Sequence, residues 1–296
     1  MEMVKILQHK EKNMEEVKSV VALPKDHISY SQINMFLRCP KQYYYRYVED
    51  LIRPPKWVMV AGKSGHRAME FNNRHKMKTG ENEKKHDVLD YFEACWIEEK
   101  DLYEEIVYGN IKPNEVVPLM IQPINRYFDK GTFINDIPIG VEKEFALNFE
   151  GIDTTVVGFI DLIFPGQIWD YKFSQKKPGV TQLANANQLS MYAISQFIEN
   201  KVFPDKLGYA YLISTKEPQV NLYEIPNIKS FVRNFMENLK DSIITISNAM
   251  STGTFIRNDT GFMCTPESCG YYDICKPGMK KIYYDLQTAY GPKKKG

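Results

Sequence analysis

The stretch GFIDLIFPGQIWDYKF, residues 158–173, constrains the fold more than any other part of the chain. Two runs rich in Ile, Leu, Phe and Trp flank Pro165-Gly166, a turn-forming pair, so the segment predicts two antiparallel strands. With that pair at the centre, residues whose numbers sum to 331 face each other, which sets Asp161 opposite Asp170. Lys172 lies two residues beyond Asp170, and the period of two puts it on the same sheet face. L-Pro-Gly favours a type II turn, whose twist suits two-residue hairpins poorly. A bulge that slips the pairing by one residue is therefore the competing arrangement.

Opposed carboxylates among apolar neighbours repel each other and cost stability. A hard divalent cation such as Mg²⁺ or Mn²⁺, bound through oxygen, would relieve this and would serve phosphoryl chemistry. Lys172 would then activate a water or stabilise charge on the phosphate. On these residues alone a structural Asp–Lys pair on an exposed hairpin is the commoner outcome, because Asp-x-Lys is a frequent combination.

The flanking sequence sets the class. SYSQINMFLRCP reads as a short helix that begins with Ser caps and stops at Pro40, and KQYYYRYVEDL as a basic, aromatic helical stretch. A Gly-rich turn around Gly62 and Gly65 leads into a helix that Gly80 ends. His86 to Val107 reads as helical, with Val88, Tyr91, Phe92, Cys95 and Trp96 on one stripe, and a further helix spans Glu115 to Asp129. IPIGVEKEFALNF, TTVVGFIDLIF and QIWDYKF then read as successive strands. A helix from about Gln182 to Glu199, the strands LGYAYLIST and VNLYEIP, and an amphipathic helix from Ile228 through Ile246 follow. The pattern predicts an α/β fold, a central mixed sheet flanked by helices with a helical insertion before it. The expected divisions are a leader over 1–27, a main domain over 28–278 and a basic tail over 279–296. Within the main domain, 28–135 is helical, 136–226 is the sheet core and 227–278 holds the last long helix and the cysteines.

Apolar residues make up 43% and charged residues 25%, ordinary for a globular chain, and no apolar run of membrane-spanning length occurs. The N-terminus lacks the apolar stretch of a signal peptide. Five cysteines are too few and too uneven for a secreted disulfide framework, which points to a reducing, cytoplasmic setting. The net charge of +1 conceals segregation: Ser29 to Lys78 carries ten Lys/Arg and three Asp/Glu, whereas Glu81 to Glu105 carries ten acids and three bases. Such blocks are either two solvated helical surfaces or one basic and one acidic face.

GFIDLI followed by WDYK resembles motifs II and III of the PD-(D/E)XK nucleases, in particular the RecB-like branch, and the resemblance covers roughly residues 28–278. Gly62 and His66 match that branch's upstream Gly-x-x-x-His, and Gln188 and Tyr192 in QLSMY match its downstream Gln-x-x-x-Tyr. The resemblance implies a restriction-endonuclease-like core in which His66, Asp161, Asp170 and the backbone carbonyl of Tyr171 ligate Mg²⁺ or Mn²⁺. Lys172 would be the catalytic lysine, and Gln188 and Tyr192 would contact DNA or orient the site. Glu70, one helical turn from His66, would steer the imidazole or a metal-bound water, and Glu144 would be a further acid near the site.

CPKQYYYRYV resembles the N-terminal segment of RecB-like nucleases with an iron–sulfur cluster, such as the AddB nuclease domain and CRISPR-associated nucleases. By that likeness Cys39 joins Cys264, Cys269 and Cys275, a set of four thiolates that suits a [4Fe–4S] cluster and equally tetrahedral zinc. Four residues separate Cys264 from Cys269, where the family usually has two. The cysteines would clasp the N- and C-terminal segments together, and Cys95 is most simply a core residue. Lys41, Tyr43, Tyr44, Arg46 and Tyr47 would wall a DNA channel, with bases on phosphates and rings on unpaired bases.

The function so implied is a metal-dependent DNA exonuclease acting on ends or single strands. No G-x-x-x-x-G-K-[ST] loop occurs, so a helicase or a recombination or CRISPR partner would be separate. The alternatives are a non-catalytic DNA-binding subunit that keeps the fold, or a nuclease that trims DNA for CRISPR adaptation; DNA repair, recombination and phage DNA processing are equally open.

Overall fold

The computed structural model describes residues 27–149 and 152–291. The expected leader, except for its last residue, and the final five residues of the basic tail lie outside them. The chain divides into two compact units. One comprises Pro54–Leu147 and Val157–Leu239; the other comprises the residues up to Arg53, Asn148–Val156, and those from Lys240 on.

In chain order the elements begin with β1 (His27–Ser29), α1 (Tyr30–Arg38) and α2 (Pro40–Tyr43), the last running into a π turn at Tyr44–Val48. The long helices α3 (Trp57–Thr79), α4 (Lys85–Asp101) and α5 (Val116–Asp129) follow. Then come β2 (Gly140–Phe149), β3 (Ile152–Phe164), β4 (Gln167–Ser174), α6 (Val180–Ala184) and α7 (Asn187–Asn200). The chain continues through β5 (Lys206–Ile213), β6 (Gln219–Glu224), α8 (Ile228–Thr252), α9 (Tyr272–Cys275) and α10 (Met279–Tyr290). The sheet runs in the order β1-β3-β4-β5-β6, with β2 also paired to β3. β3–β4 and β5–β6 are antiparallel and β4–β5 is parallel, so the sheet is mixed as the strand pattern predicts.

The β3–β4 register pairs Leu162 with Trp169, Ile163 with Ile168 and Phe164 with Gln167, the spacing that sums to 331. No bulge intervenes between these pairs. Gly166 takes φ +71°, the value a type II turn needs at its third residue. Its carbonyl accepts the N–H groups of Asp205 (2.7 Å) and Lys206 (3.1 Å), which ties the turn to the start of β5 and compensates for its unfavourable twist.

Gly62 and Gly65 do not form a turn: both lie inside α3, which is continuous from Trp57 to Thr79. The reason is packing. A Cβ at Gly65 would meet the Phe173 ring at 2.5 Å, so the glycine lets the helix backbone lie against β4. α4 stops at Asp101 rather than Val107, because Val107 bonds the chain ahead of α3: its N–H to Pro55 O (2.9 Å) and its carbonyl to Trp57 N (3.1 Å). The helix expected over 182–199 is broken in two, with Ala186 at ψ 51° and the Asn185 side chain capping Thr181 O at 2.8 Å. Residues 279–290 of the expected tail are a helix.

The segregated charges resolve as two neighbouring helices. Arg67 on α3 bonds Glu98 (2.6 Å) and Glu99 (3.4 Å) on α4, and Lys63 lies 3.9 Å from Glu99. The basic face of α3 is thus partly neutralised by its neighbour. Beneath it, Trp57, Met69, Phe92, Trp96, Met120 and Leu162 belong to one buried core.

In the other unit, Ser29 caps α1 in a capping box with Gln32. Lys41 N–H donates to Ile256 O (3.2 Å), Asn258 to Arg38 O (2.9 Å) and the Tyr271 hydroxyl to Leu51 O (2.7 Å), so N- and C-terminal segments are stitched together there. Tyr43 is fully buried against Phe36 and Phe255, which makes it core rather than channel wall.

Candidate active site and cysteine cluster

Alternation along β4 divides the site between two faces of the sheet. Tyr171 and Phe173 face α3, where they touch Asn73 and Gly65. Asp170 and Lys172 face α7, where they meet Tyr192 and Gln188. The four residues on this second side form a closed ring. Lys172 Nζ lies 2.6 Å from Asp170 Oδ2 and donates to Gln188 Oε1 at 2.8 Å. Gln188 Nε2 donates to the Tyr192 hydroxyl at 2.7 Å, and that hydroxyl donates to Asp170 Oδ1 at 3.0 Å. Gln188 and Tyr192 meet because they are one helical turn apart. Tyr192 is buried, with 2% of its surface exposed.

Asp161 takes up the place where the β3–β4 ladder would continue. Its Oδ2 accepts the Tyr171 N–H at 2.8 Å and lies 3.1 Å from His66 Nδ1. The paired register ends at Leu162 and Trp169, and the two aspartates just beyond it have separate partners. Ligand atoms of His66, Glu142 and Asp161 all lie within 4.8 Å of one another. Asp170 is outside that trio. Its Oδ2, fully buried, has the Lys172 ammonium 2.6 Å away as its partner.

Glu142 is the acid that sequence reasoning missed. In VEKEF the choice fell on Glu144, but Glu144 is exposed. Along β2, Phe145, Leu147 and Phe149 are buried and alternate with exposed residues, and the phase slips at Glu142, whose φ is +47°. A left-handed value in a long charged residue of a strand is uncommon. It re-aims the Glu142 carboxylate, and no composition signal announces such a slip. Glu70 does not bond His66; it pairs with Arg74 at 2.6 Å.

The electrostatics follow from burial. Burial pushes Asp170 up to about 6, with the Asp161 charge adding to the effect and Lys172 and His66 opposing it. Burial and the charge of Asp161 push Glu142 up to about 7. Burial works the same way on Asp161, but the His66 charge and hydrogen bond, Lys172 and the Tyr171 N–H outweigh it and hold this carboxyl below its usual range. His66 is raised in turn: burial lowers it, and Asp161 more than restores it. One acid firmly ionised beside two that resist ionisation is a site short of positive charge.

In the other unit Cys39, Cys264, Cys269 and Cys275 line one cavity of about 450 Å³. Gln42 Nε2 reaches Cys269 Sγ at 3.9 Å. Burial raises the Cys269 and Cys275 thiols, and each is raised further by Cys39 and Cys264. Cys95 is buried, as its place on the apolar stripe predicts. Of the residues expected to meet DNA, Lys41 sits over the Tyr44 ring at 4.0 Å, Tyr44 bonds Glu49, and Arg46 lies 3.5 Å from Asp50. Among the described residues no helix is long and apolar enough to cross a membrane.

A family model of the PD-(D/E)XK nuclease superfamily matches residues 27–276, and the chain belongs to that superfamily. A crystal structure of a candidate exonuclease from Eubacterium rectale has the same fold, with a TM-score of 0.58 at 12% identity. The match covers 83% of this chain and 91% of that one. No curated protein matches the sequence.

Proposed function

We propose that the chain is a divalent-metal-dependent DNA nuclease of the RecB-like branch, an exonuclease working on ends or single strands. The observation that carries this reading is the closed Asp170–Lys172–Gln188–Tyr192 ring on the face next to His66, Glu142 and Asp161. A merely structural Asp–Lys pair has no need of a buried tyrosine, a glutamine and three further ionisable groups around it.

The donor set fits Mg²⁺ or Mn²⁺: carboxylates with one imidazole are hard ligands. His66, Glu142, Asp161 and Asp170, with the Tyr171 carbonyl, would hold the ion. Bound there, it supplies Lewis-acid polarisation of the phosphate and a nucleophilic water at neutral pH. The chain's own part is electrostatic. Asp170 and Gln188 hold the Lys172 ammonium by 2.6 and 2.8 Å contacts, so that it meets charge building on the phosphoryl oxygens without reorganising. Tyr192 keeps Asp170 oriented, and the Tyr171 N–H does the same for Asp161.

The four cysteines would hold a [4Fe–4S] cluster. Four thiols around one cavity repel each other's ionisation, a conflict that bound iron removes. Zinc, at about 2.3 Å from each sulfur, would need them about 3.8 Å apart. Zinc at the same four cysteines is the alternative, and the metal content of the purified protein distinguishes the two.

The test is digestion of end-labelled single- and double-stranded DNA with Mg²⁺ or Mn²⁺, comparing wild type with Asp170→Ala. Release of short products by wild type alone supports the reading. Equal activity in both, or none in either, sinks it.

A further inference from the structure

The catalytic ring leaves Tyr171 unexplained. Its hydroxyl points away from the reaction face into the core, yet it is not left among apolar groups. Asn73 Nδ2 donates to it at 3.0 Å, and it shares a hydrogen bond with the Tyr127 hydroxyl at 3.2 Å. All three residues are buried. The chain of bonds continues, since Asn72 Nδ2 reaches Asn73 Oδ1 (3.3 Å) and Asn82 Oδ1 (3.1 Å), and Glu83 N–H donates to Asn72 Oδ1 (3.0 Å). A core of this size could be filled by Phe and Leu more cheaply, because every buried polar atom must find a partner.

What the cluster joins gives its purpose. Asn73 and His66 are seven residues apart on α3, two turns along nearly the same face. Tyr171 lies between Asp170 and Lys172, and its own N–H bonds Asp161. The helix thus meets the hairpin at three points: Gly65 under the Phe173 ring, His66 on Asp161, and Asn73 on the Tyr171 hydroxyl. The first contact sets how close the helix lies. A buried hydrogen bond of defined direction adds an axial constraint to that packing.

We propose that the buried Asn73–Tyr171–Tyr127 cluster is a positioning device that fixes the axial register of α3 against β4, and so the placement of His66 relative to Asp161 and Asp170. The inference rests on the metal-dependent reading of that site. None of the three side chains touches substrate or metal; they act through Tyr171's backbone and through the helix.

The test separates positioning from packing. In the triple variant Asn73→Leu, Tyr127→Phe, Tyr171→Phe, every member of the cluster becomes apolar with similar shape, a change the fold tolerates far better than orphaning one partner. Tyr171→Phe alone is the companion should the triple variant not fold, judged by circular dichroism. Mn²⁺ affinity is measured by the electron paramagnetic resonance of free Mn²⁺, and kcat and KM on end-labelled DNA. The expected result is Mn²⁺ affinity and kcat each down about 10- to 100-fold with KM for DNA unchanged, the scale seen when outer partners of metal ligands are lost. Folded variants with wild-type Mn²⁺ affinity would overturn the proposal and leave the cluster a packing feature. Wild type that binds Mn²⁺ but cuts no DNA would end the nuclease reading, and the Mn²⁺ comparison would still decide this one.

Discussion

Replacing Asp170 by Asn should abolish cleavage and make the protein more stable. Asp170 is 0% exposed, and burial together with Asp161 raises its pKa to about 6. Against an unfolded value of about 3.9, that is about two units, on the order of 3 kcal/mol. The sign follows from proton counting. Between about pH 4 and pH 6 the folded protein holds a proton on Asp170 that the unfolded chain has lost, so wild-type stability falls as pH rises through that window and stays lower above it. The substituted amide is neutral throughout and is spared the loss. The attraction of Lys172 is already included in the net shift, so it does not reverse the balance. Urea unfolding followed by tryptophan fluorescence in EDTA reads the effect, since Trp57, Trp96 and Trp169 all lie in the unit that holds the site. Asp170→Asn should exceed wild type by on the order of 3 kcal/mol at pH 7.5, with the gap closing towards pH 4. A variant less stable than wild type at pH 7.5, or a gap that does not change with pH, would refute the electrostatic argument.

Gly65→Ala puts a methyl group 2.5 Å from the Phe173 ring and should cost about 1–3 kcal/mol in the same urea assay, with activity falling as α3 is pushed off β4. Tyr192→Phe removes the hydroxyl that stabilises the charged form of Asp170; its pKa rises further, and the acid limb of the pH–rate profile should move up by about one unit. Cys264→Ser should strip most of the iron and the broad visible absorption from anaerobically purified protein, and unchanged iron content would remove Cys264 from the proposed ligand set.

The hairpin was legible because Pro165-Gly166 fixes a centre and the period of two does the rest; Asp161, Asp170 and Lys172 follow from counting. His66 could not be reached this way. A histidine on a helix carries no sign of its partner 95 residues on, and only the order of motifs pointed to it. Glu142 was hidden for a different reason: β2 breaks its own alternation at a residue with positive φ, a local strain with no sequence signature outside glycine. Gly62 and Gly65 misled in the opposite direction, since both lie inside a helix, where Gly65 serves the close approach of helix and strand. The charge blocks were visible in the sequence, but which surface each would face was not, and the two meet in part, at Arg67 and Lys63. Residues 279–290 were read through their lysines, although Met279, Ile282, Tyr283, Leu286 and Tyr290 have helical spacing between two glycines.

In the proposed function Lys172 acts in chemistry rather than in binding. The direct measurement is cleavage of end-labelled single-stranded DNA in Mn²⁺ by wild type and Lys172→Met, with the bound fraction read from the same samples by gel shift. Wild type should release short products while Lys172→Met holds the DNA with comparable affinity and cuts at least about 100-fold more slowly. Cleavage by Lys172→Met at the wild-type rate, or intact DNA in both samples, would contradict it.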